Sequence, residues 1–288
     1  MAGLKEVRNR IASVGSTRQI TQAMKLVSAA KLRRAQEAVT QMRPYAEKLR
    51  EIIVNISGTL EGSVDGVFSQ EREVKSILIV AIASNRGLCG AFNANIFKAT
   101  EKRIEQLSGK KVEVFAIGKR SADYFSGKHK VYKANSEIFN ELNYENVSVM
   151  AQEVMAAFLA GQFDKVEIIY NEFQNAATQN VVTQQFIPVV AEEHTADSNE
   201  TSDYIFEPSK TSIVVDLIPK SLKIQFYKSL LDSHASEHGA RMTAMHKATD
   251  NAQDLKDELT LTYNRQRQAA ITNEILEIVG GAEALKQG

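Results

Sequence analysis

The chain has 288 residues, with one cysteine, four prolines and no tryptophan. The single cysteine, Cys89, excludes an internal disulfide and any zinc site built from cysteine alone. The longest apolar run, residues 77–83, is far too short to cross a bilayer, and no secretory signal opens the chain. These absences predict a cytosolic protein that does not insert into a membrane.

Proline is missing from the C-terminal quarter of the chain. No proline follows Pro219, so the sequence allows one continuous helix from there to Val279. Apolar residues recur along it at steps of three and four, at Met245, Ala248, Ala252, Leu255, Leu259, Ile271, Ile275, Ile278, Ala282 and Leu285. This spacing is typical of a coiled-coil seam. A helix of this length cannot be buried inside one domain of this size, so we expect it to contact partner proteins.

A second long helix is predicted over about residues 3–57, with weak interruptions at Gly15 and Pro44. Its apolar positions also recur at steps of three and four, at Leu4, Val7, Ile11, Val14, Ile20, Met24, Val27, Met42, Tyr45, Leu49, Ile52 and Ile56.

The middle of the chain has strand-like apolar runs that alternate with helical stretches, which indicates a small parallel or mixed α/β sheet. The predicted strands are 76–84, 111–118, 165–173 and 181–189, and the predicted helices lie near 93–107, 119–125 and 147–160. An acidic loop follows, and Pro219 is expected to kink or restart the last helix.

We therefore expect an α/β fold plus a long helical coiled coil, in which the N- and C-terminal helices are antiparallel and a small Rossmann-like α/β domain is inserted between them. If Ile56 lies near Lys210, the numbers of paired residues add up to about 267, and residues beyond about 264 have no partner within the chain. The expected boundaries are 1–58 for the first helix, 74–190 for the α/β domain, 191–208 for an acidic loop and foot segment, and 209–288 for the last helix.

Net charge is zero, but residues 1–50 carry eleven Lys or Arg and three acidic residues. Such a segment could bind nucleic acid, anionic lipid or an acidic protein surface. Aromatic residues are scarce before Tyr45, so no base-stacking platform is evident. A coiled-coil tether that binds nucleic acid or membrane stays open as an alternative.

Two motifs could carry chemistry. His234, Glu237 and His238 match the His-x-x-Glu-His pattern of inverted zinc peptidases, although no third metal ligand is evident. The loop 85–93 follows a strand like a phosphate cradle, but it lacks the glycine and lysine signatures of nucleotide sites. Cys89 has no histidine close to it in sequence to activate it as a nucleophile. A zinc hydrolase on His234 and His238 therefore remains an alternative, and no cofactor is expected.

Three stretches carry a family resemblance. They are MAGLKEVRNRIASVGSTRQITQAMKLVSAAKLRRAQ at the start, NRGLCGAFN in the centre, and SEHGARMTAMHKATDNA with LTLTYNRQRQAAITNEILEIVGGAEAL at the end. Together they resemble the gamma subunits of F-type ATP synthases. The resemblance implies a central rotor shaft without an active site of its own, which couples ion flow through the membrane ring to ATP synthesis or hydrolysis.

The resemblance also implies partners and a location. The partners are the alpha and beta subunits of the catalytic hexamer, the epsilon subunit and the membrane c-ring, with no nucleic acid and no direct membrane insertion. The location is the cytoplasmic side of the cell membrane, at its periphery. The single cysteine cannot form the dithiol switch of chloroplast members of the family.

Contact residues follow from the same resemblance. Those matched to hexamer contacts are Met24, Lys25, Arg86, Gly87, Cys89, Arg241, Arg267, Gln268, Thr272 and Glu274. An apolar sleeve of the hexamer would cover Ile271, Ile275, Leu276, Ile278 and Val279. The foot that meets epsilon and the ring would include Tyr204, Ile205, Phe206 and Glu207. Glu237, His238 and Gly239 depart from the family pattern, and Gly239 is expected to weaken its helix by about 1 kcal/mol relative to alanine.

Overall fold

The structure, a computed structural model, describes residues 2–58, 68, 72–189 and 210–286. Its helices are α1 (Ala2–Gly58), α2 (Phe92–Gln106), α3 (Lys119–Phe125), α4 (Tyr144–Leu159) and α5 (Lys210–Lys286). Its strands are β1 (Ser76–Ile82), β2 (Lys111–Ile117), β3 (Val131–Asn135), β4 (Lys165–Phe173) and β5 (Gln179–Ile187). The chain forms two compact units, one of residues 1–28 with 242–288 and the other of residues 29–241. The first is called the coil unit and the second the sheet unit.

The sheet unit is built around five strands in the order β3-β2-β1-β4-β5. The first four are parallel, and β5 pairs with β4 in the antiparallel direction. Strand β1 is apolar along its length because helices cover both faces of the sheet. Leu78, Val80 and Ile82 belong to one core, while Ile77, Ile79 and Ala81 belong to the other.

The first part of α5 is a core helix of the sheet unit. Ile218, Leu222, Phe226 and Leu230 are spaced by four residues and are buried with α4 in the same core. Full burial of each such side chain stabilises the fold by about 1.5–3 kcal/mol. Of the two outcomes expected at Pro219, a kink or a restart, the restart is wrong, since α5 runs through the proline, and Pro44 likewise lies inside α1. At Pro219 the buried neighbours outweigh the backbone hydrogen bond that proline cannot make.

The two long helices are antiparallel within the coil unit. Arg18 Nη1 donates to Gln253 Oε1 at 2.8 Å, and Lys25 Nζ lies 3.2 Å from His246 Nδ1. Residues with higher numbers in α1 pair with residues with lower numbers in α5. The helices are therefore antiparallel, which confirms the expected coiled coil. Each of these two pairs adds up to 271, against the expected 267 or so, because the helices are offset by about one turn from the predicted register.

The α1 seam departs from part of the predicted apolar positions. Within the coil unit its buried and half-buried residues lie at positions 4, 7, 11, 14, 15, 18, 21, 24, 25 and 28, and all but 15 and 24 follow an alternation of three and four. Thr21 and Ser28 are buried, whereas the predicted Ile20 and Val27 are 61% and 58% exposed. At these positions the seam takes in small polar residues and leaves two apolar side chains outside.

Two further seam predictions are wrong. In the coil unit Leu255 is 40% exposed and the neighbouring Lys256 is half-buried instead. In the sheet unit Tyr45 is 51% exposed, while Leu49 is buried as expected. A long lysine side chain can cover apolar surface with its methylene groups while its ammonium stays in water, which suits the seam position of Lys256.

Candidate functional site

The loop after β1 is held by several side-chain hydrogen bonds. Ser84 Oγ donates to the carbonyl of Arg86 at 2.6 Å, and Asn93 Oδ1 accepts from the Ser84 backbone N–H at 3.0 Å. Asn85 Nδ2 donates to the carbonyl of Ser136 at 2.6 Å. These bonds fix residues 85–90, called the Leu88 loop below, at the carboxyl end of a parallel strand, where α/β folds place their sites.

Leu88 has an exposed side chain and an unfavourable backbone conformation. Its φ is 61°, in the left-handed region that a residue with a Cβ rarely adopts, and its side chain is 65% exposed. Arg86 is also exposed. An exposed leucine held in a costly conformation marks this loop as a contact surface rather than a packing element.

Cys89, in contrast, points inward. It is buried with Phe92 and with Ala240 of α5, so the side chains fill the space that a phosphate cradle would leave open. Burial raises the pKa of the Cys89 thiol, which keeps the sulfur protonated and unreactive. The loop as folded therefore suits neither a nucleotide site nor a cysteine nucleophile.

Arg241 connects α5 to this loop. Its Nη2 donates to the carbonyl of Arg86 at 2.9 Å and lies 3.3 Å from the carbonyl of Gly87, while its Nη1 donates to Glu237 Oε1 at 2.6 Å. Arg241 is 8% exposed and Glu237 is 7% exposed. The guanidinium that the resemblance assigns to a partner contact is bonded inside its own chain.

The two histidines of the zinc motif lie next to each other. Nε2 of His234 and Nε2 of His238 are 3.1 Å apart, and the ring of Phe139 stacks on His234 with centroids 6.0 Å apart. Arg241 Nη1 lies 3.4 Å from His238 Nδ1 and can only donate, so His238 carries its proton on Nε2 and donates to His234. Burial is the main cause that lowers their pKa values, to about 4 for His234 and about 3 for His238.

Metal binding by this pair finds little support in the geometry. In the residues that the structure describes, no group of three or more His, Cys, Asp and Glu side chains could hold a metal ion. A metal on Nε2 of His238 would also place the ring proton on Nδ1, where it would face an N–H of Arg241.

Gly239 has a packing reason. A Cβ at this position would lie 3.2 Å from Cα and from the carbonyl oxygen of Ala176. The glycine lets α5 approach the loop between β4 and β5 closely, which corrects its interpretation as merely a weak point of the helix.

The C-terminal part of α5 is exposed within the coil unit. Every residue from 271 to 282 is exposed. The apolar side chains there have exposed fractions of 47% to 70% and are Ile271, Ile275, Leu276, Ile278 and Val279, called the apolar end stripe below. The polar residues expected to contact the hexamer are exposed too, namely Arg267, Gln268, Thr272 and Glu274.

Met24 and Lys25 have a different environment. Both are half-buried in the seam, and Lys25 contacts His246 there. The large apolar residues that face outward nearby are Ile20, Leu26 and Val27, with exposed fractions of 58% to 62%. Sequence reasoning missed this surface, although extending the alternation of three and four from Leu4 excludes Ile20 and Val27 from the seam.

Tyr204, Ile205, Phe206 and Glu207, the predicted foot residues, lie outside the described residues. No helix in the described part of the chain is long and apolar enough to cross a membrane.

These features define a class of protein. An antiparallel helix pair that ends in an exposed apolar stripe, in a chain with a hydrogen-bonded loop that displays a leucine, is typical of a structural subunit in a larger assembly. Sequence comparison identifies which one. The family model described as ATP synthase matches residues 3–285.

Curated relatives match along their whole length. The chain is 61% identical over 285 residues to the ATP synthase gamma chain of Flavobacterium johnsoniae, covering 99% of both chains. It is 42% identical over 288 residues to the gamma chain of Trichlorobacter lovleyi, covering 99% of this chain and 100% of that one. The chain therefore belongs to the ATP synthase gamma chain family.

Solved structures agree on the fold. The chain resembles a chain of the Euglena gracilis mitochondrial ATP synthase rotor with a TM-score of 0.67 and 18% identity, covering 94% of this chain and 99% of that one. A chain from the OSCP/F1/c-ring structure of the same enzyme gives a TM-score of 0.68 and 20% identity, covering 99% and 95%. The predicted fold class is confirmed by these likenesses and by the sheet and helix pair described above.

Proposed function

We propose that the chain is the central rotor shaft of an F-type ATP synthase and couples ion flow through a membrane ring to ATP synthesis or hydrolysis by rotation. The observation that carries this proposal is the apolar end stripe. Its side chains are 47% to 70% exposed, and exposed apolar area of this kind marks a surface that a partner covers. A sleeve formed by the alpha and beta subunits of the catalytic hexamer supplies that cover.

The shaft makes and breaks no bond. Its cross-section differs from side to side, so it presents different contacts to each catalytic subunit and biases their conformations differently. The hydrogen bonds from Arg18 to Gln253 and between Thr21 and Thr249 support this role, because they fix the register of the two helices. A helix pair with fixed register turns as one body and transmits torque.

Electrostatics support a second contact with the hexamer. Arg8, Arg10, Arg33 and Arg34 are all exposed on α1 and contribute to the positive excess of residues 1–50. Acidic loops of the catalytic subunits are the complementary surface, and attraction of this kind guides assembly more than it stabilises the fold.

The remaining contacts follow the family. Exposed Arg86 and Leu88 face the collar of the hexamer, while Tyr204 to Glu207 meet epsilon and the c-ring. The structurally similar chains come from an ATP synthase rotor, an OSCP/F1/c-ring assembly and a central stalk with its c-ring, which supports these partners. The protein then sits at the cytoplasmic side of the cell membrane as a peripheral subunit.

Affinity purification of the tagged chain from its native cell tests the proposal. We expect alpha, beta, epsilon and c subunits in fixed stoichiometry, and we expect ATP hydrolysis by the complex but none by the isolated chain. A chain that copurifies with none of them, or that hydrolyses ATP alone, would overturn it. A variant in which Ile275, Leu276 and Ile278 are changed to serine keeps the tag and helix length, and it should release the hexamer more readily.

A further inference from the structure

The geometry points to Glu237 and Arg241 as positioning residues that hold the Leu88 loop in the shape that displays Leu88. The inference concerns the loop itself. Its consequence for the assembled enzyme rests on the proposed function, in which this loop faces the catalytic hexamer.

The guanidinium of Arg241 bonds to several groups at once. Arg241 Nη2 donates to the carbonyl of Arg86 at 2.9 Å, and its Nε and Nη2 lie 3.4 and 3.3 Å from the carbonyl of Gly87. These two carbonyls directly precede Leu88. Arginine presents five N–H donors in a rigid plane, so it can hold both carbonyls and a carboxylate at once.

Glu237 orients that plane. Its Oε1 accepts from Arg241 Nη1 at 2.6 Å one helical turn away, and both side chains are about 90% buried. A buried guanidinium without an anion is unfavourable, and Glu237 both neutralises Arg241 and fixes its rotamer.

The loop has two further constraints that Arg241 complements. The guanidinium of Arg120 packs over Gly87, where a Cβ would lie 3.2 Å from Arg120 Nη2. Cys89, on the other side of Leu88, is buried with Phe92 and Ala240. Leu88 is therefore flanked by a carbonyl held from α5 and a thiol packed on α5, and α5 sets its direction.

Cys89 offers a direct readout, because it is the only cysteine and its sulfur is buried. Its reaction with a thiol reagent such as DTNB, on the full-length chain well below the melting temperature, measures how often the loop opens. Arg241→Lys keeps the charge but cannot reach Glu237 and both carbonyls. We expect its Cys89 to react at least about ten-fold faster, the factor for one lost charge-assisted hydrogen bond. Glu237→Gln retains a neutral acceptor and should give an intermediate rate.

The matched control is Arg103→Lys. Arg103 also donates two hydrogen bonds to a buried carboxylate, that of Glu167, at 2.6 and 2.7 Å. It lies at the end of the sheet opposite the Leu88 loop. A comparable loss of melting temperature with unchanged Cys89 reactivity is expected there. If Arg103→Lys accelerates Cys89 as much as Arg241→Lys does, or if neither variant does, the positioning role is overturned.

The assembled complex separates this inference from the proposed function. With the native partner subunits, Arg241→Lys and Leu88→Ala should both lower coupled ATP hydrolysis, whereas Arg103→Lys should not. If Arg241→Lys makes Cys89 react faster but leaves ATP hydrolysis by the complex unchanged, the positioning role is supported. The proposed contact between the Leu88 loop and the hexamer is then disproved. Amide hydrogen exchange confined to residues 86–90 would confirm the site of opening.

Discussion

The hydroxyl oxygens of Thr21 and Thr249 lie 2.8 Å apart across the two helices of the coil unit. Thr21 Oγ1 also donates to the carbonyl of Arg18 at 3.0 Å, so Thr249 is the donor of the pair and Thr21 its acceptor. A polar pair inside a seam specifies register because every shifted pairing would leave a hydroxyl facing apolar groups. Polar bonds therefore contribute to fixing the register of this helix pair.

Replacing Thr21 by valine should destabilise the full-length chain by about 1 kcal/mol, because one hydrogen bond is lost without a change of shape. The loss is small because Thr249 Oγ1 also lies 2.7 Å from the carbonyl of Met245 and can donate there instead. Urea denaturation with Thr21→Ser as the control measures it. A loss above 3 kcal/mol would mean that the hydroxyl does more than fix register.

Ile20 and Val27 provide a test of which face of α1 is covered. Alanine at both positions should change the stability of the free chain by less than about 0.5 kcal/mol, because both side chains are mostly exposed. Leu32→Ala is the matched control, since Leu32 is 5% exposed and should lose about 2–5 kcal/mol. The double variant should nevertheless weaken the assembled complex if this surface meets a partner, and thermal melts of both forms decide.

The elements that could be predicted are those in which local pattern and burial agree. The apolar run of β1 and the short helix 119–125 both follow from sequence, and α3 has these bounds. Strand β3 could not be predicted, because its residues Val131–Asn135 are largely exposed at the sheet edge and carry no apolar pattern. The opposite applies to the seam of α1. Ile20 and Val27 are apolar, so the pattern predicts that they are buried, but both are exposed.

Part of the candidate site has no local signal in the sequence. The family resemblance predicts partner contacts at Arg86, Gly87 and Cys89, and these stay predictions. The bond from Arg241 to the carbonyl of Arg86 joins residues 155 positions apart, and no local pattern encodes such a contact. The sequence predicts that Gly239 weakens its helix, but it does not predict the close packing that the glycine allows. The approach of Ala176 is a tertiary contact that no local pattern encodes.

Gly239→Ala should fail to give the gain of about 1 kcal/mol that alanine usually brings to a helix. The new methyl group would press on the backbone of Ala176, and the strain offsets or exceeds the gain. Gly15→Ala is the control, because nothing lies within 4 Å of a Cβ there, and it should stabilise α1. Equal gains for both variants in a denaturant titration would contradict the close approach.

Acidification should unfold the sheet unit through the histidine pair. The folded pKa values of about 4 and about 3 lie below the ordinary 6.5, so below pH 6.5 the unfolded chain binds protons that the folded chain does not. Stability therefore falls as pH falls from 6.5 towards 4, by at most about 1.4 kcal/mol per pH unit for each histidine. Lys31 and Arg241 add to this effect, while buried Glu237, whose pKa is raised, opposes it.

The pH dependence is measured as the difference between the parent chain and His234→Gln/His238→Gln, by urea titrations at several pH values. The double variant should lose most of the slope between pH 6.5 and 4.5, a window above the titration of Glu113 and Glu167, whose pKa values are lowered. An unchanged slope in the double variant would show that the pair is not buried in its neutral form.

Removal of residues 276–288 should affect the free chain and the complex differently. In the register that the hydrogen bonds define, Ala2 of α1 lies opposite about residue 268, so the deleted segment has no partner helix within the coil unit. The melting temperature of the free chain should stay nearly unchanged. The deletion removes Leu276, Ile278 and Val279, each of which gains on the order of 1.5–3 kcal/mol when a sleeve buries it.

The reconstituted complex should therefore be less stable without this segment. Hydrolysis should be impaired but not abolished, because Arg267, Gln268, Thr272 and Glu274 remain. Paired melts of the free chain and the complex, with and without the segment, provide the measurement, and deletion of 286–288 alone is the control. A large loss in the free chain would mean that the segment folds back on its own chain. The apolar end stripe would then need no sleeve, and the proposed shaft would lose the observation on which it depends.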